Sequence, residues 1–132
     1  MLIKVSVTVT SVIALIIFGV LAIVHRQSNL PRQAAARVSV NTFAGALEAY
    51  NKDTGTYPLT AQGLEALRKA PHGVAGWNGP YLPQDIHNDP WGRPYYYKFP
   101  GDHGNKPDVA SFGTDGKPGG AGTDADILSW KE

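Results

Sequence analysis

Three aspartates, Asp115, Asp124 and Asp126, fall in one glycine-rich stretch, residues 113–126, that reads GTDGKPGGAGTDAD. Glycine lets the backbone turn sharply, so these carboxylates can come near one another despite their separation in sequence. Hard oxygen donors on a pliant loop suit calcium, which takes six to eight oxygens at about 2.3–2.6 Å, carbonyls included. Two known calcium patterns come close and neither matches. Asp115 to Asp126 spans twelve positions with Gly120 sixth, as in an EF-hand loop. Lys117 and Gly119 occupy ligand positions there, however, and the last residue is not Glu. Residues 119–124 resemble a calcium-binding nonapeptide repeat, in one copy and with Asp126 where an apolar residue is required. From spacing alone, an exposed hairpin loop that is polar because it is wet stays open beside calcium.

The other polar residues do not assemble into catalytic machinery. His25, His72, His87 and His103 sit in different segments without ligand spacing. His87 and Asp89 read as turn chemistry in a proline-rich loop, and Ser111 precedes Phe-Gly rather than sitting in a G-x-S-x-G elbow. A non-enzymatic chain without a small-molecule substrate is the expectation. Net charge is +1 with scattered basic residues, which gives no electrostatic footprint for nucleic acid. Cysteine is absent, so disulfide staples and thiolate metal sites are ruled out.

These residues need a scaffold, and the amino-terminal third supplies its spine. Val5 to Val24 carries no charge over twenty residues, roughly 30 Å as a helix, the thickness of a bilayer's hydrocarbon core. It is longer than a signal-peptide core and no A-x-A site follows, so it reads as a retained anchor. Lys4 precedes it, whereas Arg26, Arg32 and Arg37 follow; the positive-inside rule alone would leave the domain in the cytoplasm. From Ala34 to Lys52 the helix becomes amphipathic, with Ala36, Val40, Phe43, Leu47 and Tyr50 forming one stripe. Pro31 predicts a kink or short interruption between the halves. Residues 1–33 thus form an anchor and juxtamembrane segment, and 34–132 one small domain.

With 15 glycines and 10 prolines, most of them after Thr54, the domain should be turn-rich with short strands. Gly55 suits a helix C-terminal cap. Thr60 is placed to cap a short helix over residues 61–69, with Leu64 and Leu67 inward. Residues 72–94 form an ordered loop, because Trp77, Tyr81, Leu82 and Trp91 are too apolar to leave in water. Residues 95–99, 109–112 and 127–130 predict three strands, which need a helix across one face. The fold class is α+β.

Several segments together resemble the major pseudopilin (G protein) family of type II secretion systems. They include residues 46–50 (ALEAY), 55–67 (GTYPLTAQGLEAL), 79–82 (GPYL), 89–95 (DPWGRPY), 100–104 (PGDHG), 111–116 (SFGTDG) and 119–130. The resemblance covers about residues 40–130, in order. It implies a long amino-terminal helix packed on a three-stranded antiparallel sheet, and a last loop that binds Ca2+. Asp115 and Asp126 match the family's ligands, Asp124 follows, and the Phe112 and Thr123 carbonyls are the implied partners. It also implies a single-pass protein of the bacterial inner membrane with a periplasmic domain. Its partners would be copies of itself, other pseudopilins and the inner-membrane secretion platform, in a calcium-stabilised pseudopilus for protein export. The alternative is a membrane-tethered calcium-binding interaction module that forms no filaments.

The amino-terminal end departs from that family. Met1-Leu2-Ile3-Lys4-Val5 stands where the family has a basic leader, a Gly-Phe cleavage site and a nearby glutamate, and Val5–Val24 holds no acid. The expectation is weak self-assembly through the span and no cleavage by a co-expressed prepilin peptidase. Mass spectrometry of the membrane-extracted chain checks this, and a shortened, N-methylated amino terminus would contradict it.

Overall fold

The computed structural model describes residues 2–131, with only the backbone described for residues 2–8 and Ser28. Met1, part of the amino-terminal expectation, lies outside the described residues. One helix, α1, runs from Leu2 to Thr54, 53 residues or roughly 80 Å. The interruption predicted at Pro31 does not occur; the helix continues through it. Proline removes one backbone donor, and the helix is fastened to the domain on either side of that gap. Asn29, buried before the proline, accepts the Trp91 indole N–H at 3.2 Å. Gln33, after it, donates to the Gly122 carbonyl at 2.7 Å.

The two halves of α1 meet different surroundings. Every large apolar side chain from Val9 to Val24 is exposed. Among the described residues this is the one helix long and apolar enough to cross a membrane. Further along, the predicted stripe is the buried face: Ala36, Val40, Phe43, Leu47 and Tyr50, joined by Ala46. Arg37, Asn41 and Glu48 are exposed. Gly55, at φ 81, ends the helix, and its N–H donates to the Asn51 carbonyl at 2.8 Å.

That face lies on a three-stranded antiparallel sheet in the order β1 (Tyr96–Lys98), β2 (Asp108–Ser111), β3 (Ile127–Leu128). The strands fall close to where the sequence placed them: β1 loses one residue at each end, β2 is shifted one residue earlier, and β3 stops two residues sooner. Register pairs Tyr97 with Val109 and Ser111 with Ile127, so alternate residues turn one face to α1. Val109 and Ile127 join the helix stripe in the core. Phe43 meets Tyr95 edge to face at 5.0 Å, and Tyr50 meets Tyr81 at 5.6 Å. The Tyr97 hydroxyl donates to the Pro58 carbonyl at 2.6 Å, and burial pushes its pKa well above the usual phenol value.

One expected element changes character. Residues 61–69 do not form an α-helix capped by Thr60; a single 3-10 turn covers Leu64–Leu67. The Thr60 hydroxyl instead donates to the Phe99 carbonyl at 2.9 Å and accepts the Phe99 N–H at 3.0 Å. Pairing the segment with the end of β1 outcompetes capping, while Leu64 and Leu67 are buried as expected. The 72–94 loop is pinned by its aromatics: the Trp77 indole donates to the Ala66 carbonyl at 2.8 Å, and Tyr81 donates to Asp53 at 2.9 Å.

Phe43→Ala or Leu47→Ala should destabilise the full chain in detergent by about 2–5 kcal/mol through lost contacts and a residual cavity. Thermal unfolding followed by circular dichroism checks this; an unchanged midpoint would mean that this face does not hold the sheet.

Candidate metal centre

The loop joining β2 to β3, residues 112–126, is built by close backbone approach. A side chain at Gly113 would put its Cβ 2.9 Å from the Asp124 and Ala125 carbonyl oxygens. One at Gly120 would meet the Asp124 carbonyl oxygen at 2.6 Å, and both glycines have positive φ. Glycine is therefore required at both places for the strand ends to fold back on each other. The Gly116 N–H donates to the Phe112 carbonyl at 3.0 Å, and a 3-10 turn covers Gly122–Asp124.

The predicted ligands divide in this setting. Asp126 lies just before β3; its Oδ2 accepts the Gly119 N–H at 2.7 Å, and its Oδ1 is buried without a hydrogen-bond partner among the described residues. The Asp124 carboxylate is half-buried and, among the described residues, takes no hydrogen bond or ion pair. Asp115 is exposed and accepts the Lys117 N–H at 3.1 Å. The Phe112 carbonyl accepts one bond and keeps a lone pair, whereas the Thr123 carbonyl accepts two, from Thr114 N–H at 3.3 Å and Thr114 Oγ1 at 2.7 Å. Among the described residues, no three acidic or imidazole side chains converge as a ready metal cluster. The loop thus gathers oxygen donors without drawing the three carboxylates together.

A cation nevertheless fits the donor chemistry. A buried carboxylate oxygen without a donor is costly, and the donors are all oxygens on a glycine-rich turn. Asp126 Oδ1 is that oxygen.

The loop's position is set by residues whose roles the sequence alone did not disclose. Arg93 donates to the Gly113 carbonyl through Nη1 and to the Thr114 carbonyl through Nη2, both at 3.0 Å. Arg93 is itself held by Asp89, whose Oδ1 accepts the N–H groups of Trp91 at 3.1 Å and Arg93 at 2.9 Å. Asp89 Oδ2 accepts the Ser111 hydroxyl at 2.7 Å, inside the protein. Asp89 thus performs the turn chemistry expected of it, and Ser111 is its partner at the end of β2. The signal for Asn29 and Gln33 was present: stepping back from Ala36 by three and four reaches both, polar residues on the buried stripe. Arg93 gave no such signal, since its carbonyl partners are about twenty residues away in the chain.

The first residue of β2 carries another buried carboxylate. Asp108 Oδ2 accepts the Asp102 N–H at 2.9 Å and lies 2.8 Å from His103 Nδ1. The His103 ring stacks on Trp130 at 4.1 Å, fastening the chain end beyond β3.

Known proteins share this architecture. The family profile for type II secretion system (T2SS) protein G matches residues 23–130. The chain belongs to the type II secretion system protein G family. It is 40% identical over 126 residues to the type II secretion system core protein G of Pseudomonas aeruginosa, covering 89% of this chain and 88% of that one. The Vibrio cholerae core protein G is 42% identical over 101 residues, covering 74% and 68%. In structure, the chain resembles the major pseudopilin from the type 2 secretion system of enterohaemorrhagic Escherichia coli, with a TM-score of 0.66 and 27% identity. That match covers 79% of this chain and 87% of the other. The resemblance and the fold expected from it hold: this is a major pseudopilin of type II secretion.

Arg93→Ala should leave the Gly113 and Thr114 carbonyls without their donor and cost about 1.5–3 kcal/mol. Hydrogen exchange should show faster exchange concentrated in residues 112–126; uniform change across the domain would contradict a local clamp.

Proposed function

We propose that this pseudopilin is a non-enzymatic subunit held in the bacterial inner membrane by the first half of α1, with its domain on the periplasmic side. It forms or joins a pseudopilus with copies of itself and other pseudopilins, assembled on the inner-membrane secretion platform and serving protein export. The continuity of α1 carries this reading. An exposed apolar run passes without a break into a buried stripe, so lateral packing of spans and placement of the domain are mechanically one. Membership of the protein G family supports the periplasmic side over the orientation that Arg26, Arg32 and Arg37 would favour by charge alone.

Calcium is proposed as the ion that completes the loop. Asp126 would hold it through Oδ1, with Asp124, Asp115 and the Phe112 and Thr123 carbonyls as the further oxygen donors. When bound, it would supply positive charge to the buried Asp126 Oδ1, which otherwise has no donor among the described residues. The chain's own part is to fix the loop that carries those donors: Arg93 and Gln33 fasten its two limbs, and Gly113 and Gly120 admit the tight backbone.

The full chain in detergent should melt higher in calcium than in a chelator, by about 2.7 kcal/mol at a hundredfold excess over the dissociation constant. Asp126→Ala should abolish the gain, and an unchanged midpoint in the wild type would remove calcium from the account. Cross-linking in membranes should yield a short ladder of small oligomers, in keeping with weak self-assembly through a span that holds no acid. A lone monomer band would favour a tethered calcium-binding module over a filament subunit.

A further inference from the structure

Where the glycine-rich loop meets α1 there is an open cavity of about 410 Å3, lined by Ala22, His25, Arg26 and Leu30 of the helix and by Gly122 and Thr123 of the loop. Such a volume lies in the range of small-ligand sites, roughly 300–1,000 Å3. The Gln33 side chain also lines it and, by donating to the Gly122 carbonyl at 2.7 Å, ties the loop against the helix. The lining is amphipathic in a particular order. Ala22 belongs to the exposed apolar run that ends at Val24, and Leu30 adds an exposed apolar side chain. Between them Arg26 is exposed and, among the described residues, has neither ion pair nor hydrogen bond.

We propose that this cavity seats the headgroup of an anionic phospholipid from the bilayer around α1, with the Arg26 guanidinium on the lipid phosphate. The inference rests on the reading that the apolar run of α1 lies in a membrane. If the hydrocarbon ends at Val24, Arg26 stands about 3 Å further along the helix axis, at the level where phosphates begin. A planar guanidinium presents two parallel N–H donors to a phosphate, which an aqueous counterion does not match in geometry. A zwitterionic headgroup would bring an ammonium into a cavity already facing Arg26, so net negative headgroups are favoured. Ala22, on the bilayer side of Arg26, offers apolar surface to the start of the acyl chains, while Leu30 lines the cavity on the far side of the headgroup. Because the same loop carries Asp124 and Asp126, lipid in the cavity and order in the aspartate loop support each other by linkage.

The test uses the full chain in nanodiscs of phosphatidylcholine alone or mixed with phosphatidylglycerol, released for native mass spectrometry. Wild type should retain phosphatidylglycerol in preference to phosphatidylcholine. Arg26→Gln should lower that retention about fivefold, the effect of one cation near an anionic surface. Arg37→Gln, exposed on α1 some 16 Å further from the span, should leave retention unchanged. Equal retention of both lipids, or equal loss in the two variants, would overturn the proposal in favour of diffuse attraction. Binding of sn-glycerol 3-phosphate to lipid-free chain as tightly as phosphatidylglycerol would show a free-phosphate site and overturn it too. A chain that fails to enter nanodiscs overturns the membrane reading with it. Entry without lipid preference overturns this inference alone.

Discussion

The burial of one helix face against a very small sheet is the constraint on which the rest depends. The strands are three, four and two residues long, too short to stand as an independent sheet. Val40, Leu47 and Tyr50 are almost wholly withdrawn from water, and the two aliphatic side chains are each worth about 1.5–3 kcal/mol of transfer free energy. Without that stripe, Val109 and Ile127 would lose their cover and β2 and β3 their reason to pair. The helix itself gains too, since tertiary packing of an amphipathic face supplies most helical stability in a folded protein.

A second set of contacts makes the loop end of the domain answer to the same helix. Asp89 organises its own turn and holds Ser111 at the end of β2. Arg93, from that turn, grips the first limb of the aspartate loop, while Gln33 grips the second at Gly122. Asn29 adds the Trp91 indole. The candidate metal centre therefore sits between the sheet and the part of α1 nearest the apolar run. Order in the loop bears on how the domain stands on its helix, and the proposed calcium ion would act at that junction.

The opposite end of the domain is held by different chemistry. His103 lies between the buried Asp108 carboxylate and the Trp130 ring, and Lys106 pairs with Glu48 on α1 at 2.7 Å. That pairing lowers the Glu48 pKa below the usual carboxylate value, mainly through the Lys106 hydrogen bond. The Glu48 contribution is therefore present above the ordinary carboxylate range and fades as pH falls through it. Both groups are largely exposed, so solvent screens the pair and it stabilises the domain far less than the buried stripe does.

Whatever follows from periodicity and local chemistry was legible in the sequence. The length of the apolar run, the Ala36–Tyr50 stripe, the Gly55 stop, three short strands and the oxygen-rich loop are all read from neighbouring residues, because helix and strand periods act locally. The order of the family's motifs also carried the fold. Features that depend on partners far away in the chain emerged only on folding. Pro31 lies within a continuous helix whose flanking residues, Asn29 and Gln33, are bonded to residues 62 and 89 positions on. Thr60 turns to Phe99 instead of capping a helix, since a strand end offers it both a donor and an acceptor. In the aspartate loop, sequence identified the oxygens, but tertiary packing determined which remain available. Thr123 spends its carbonyl on Thr114, Asp115 lies in water, and Asp126 keeps one buried oxygen without a partner among the described residues, because hydrogen-bond saturation is settled only when the whole backbone is in place.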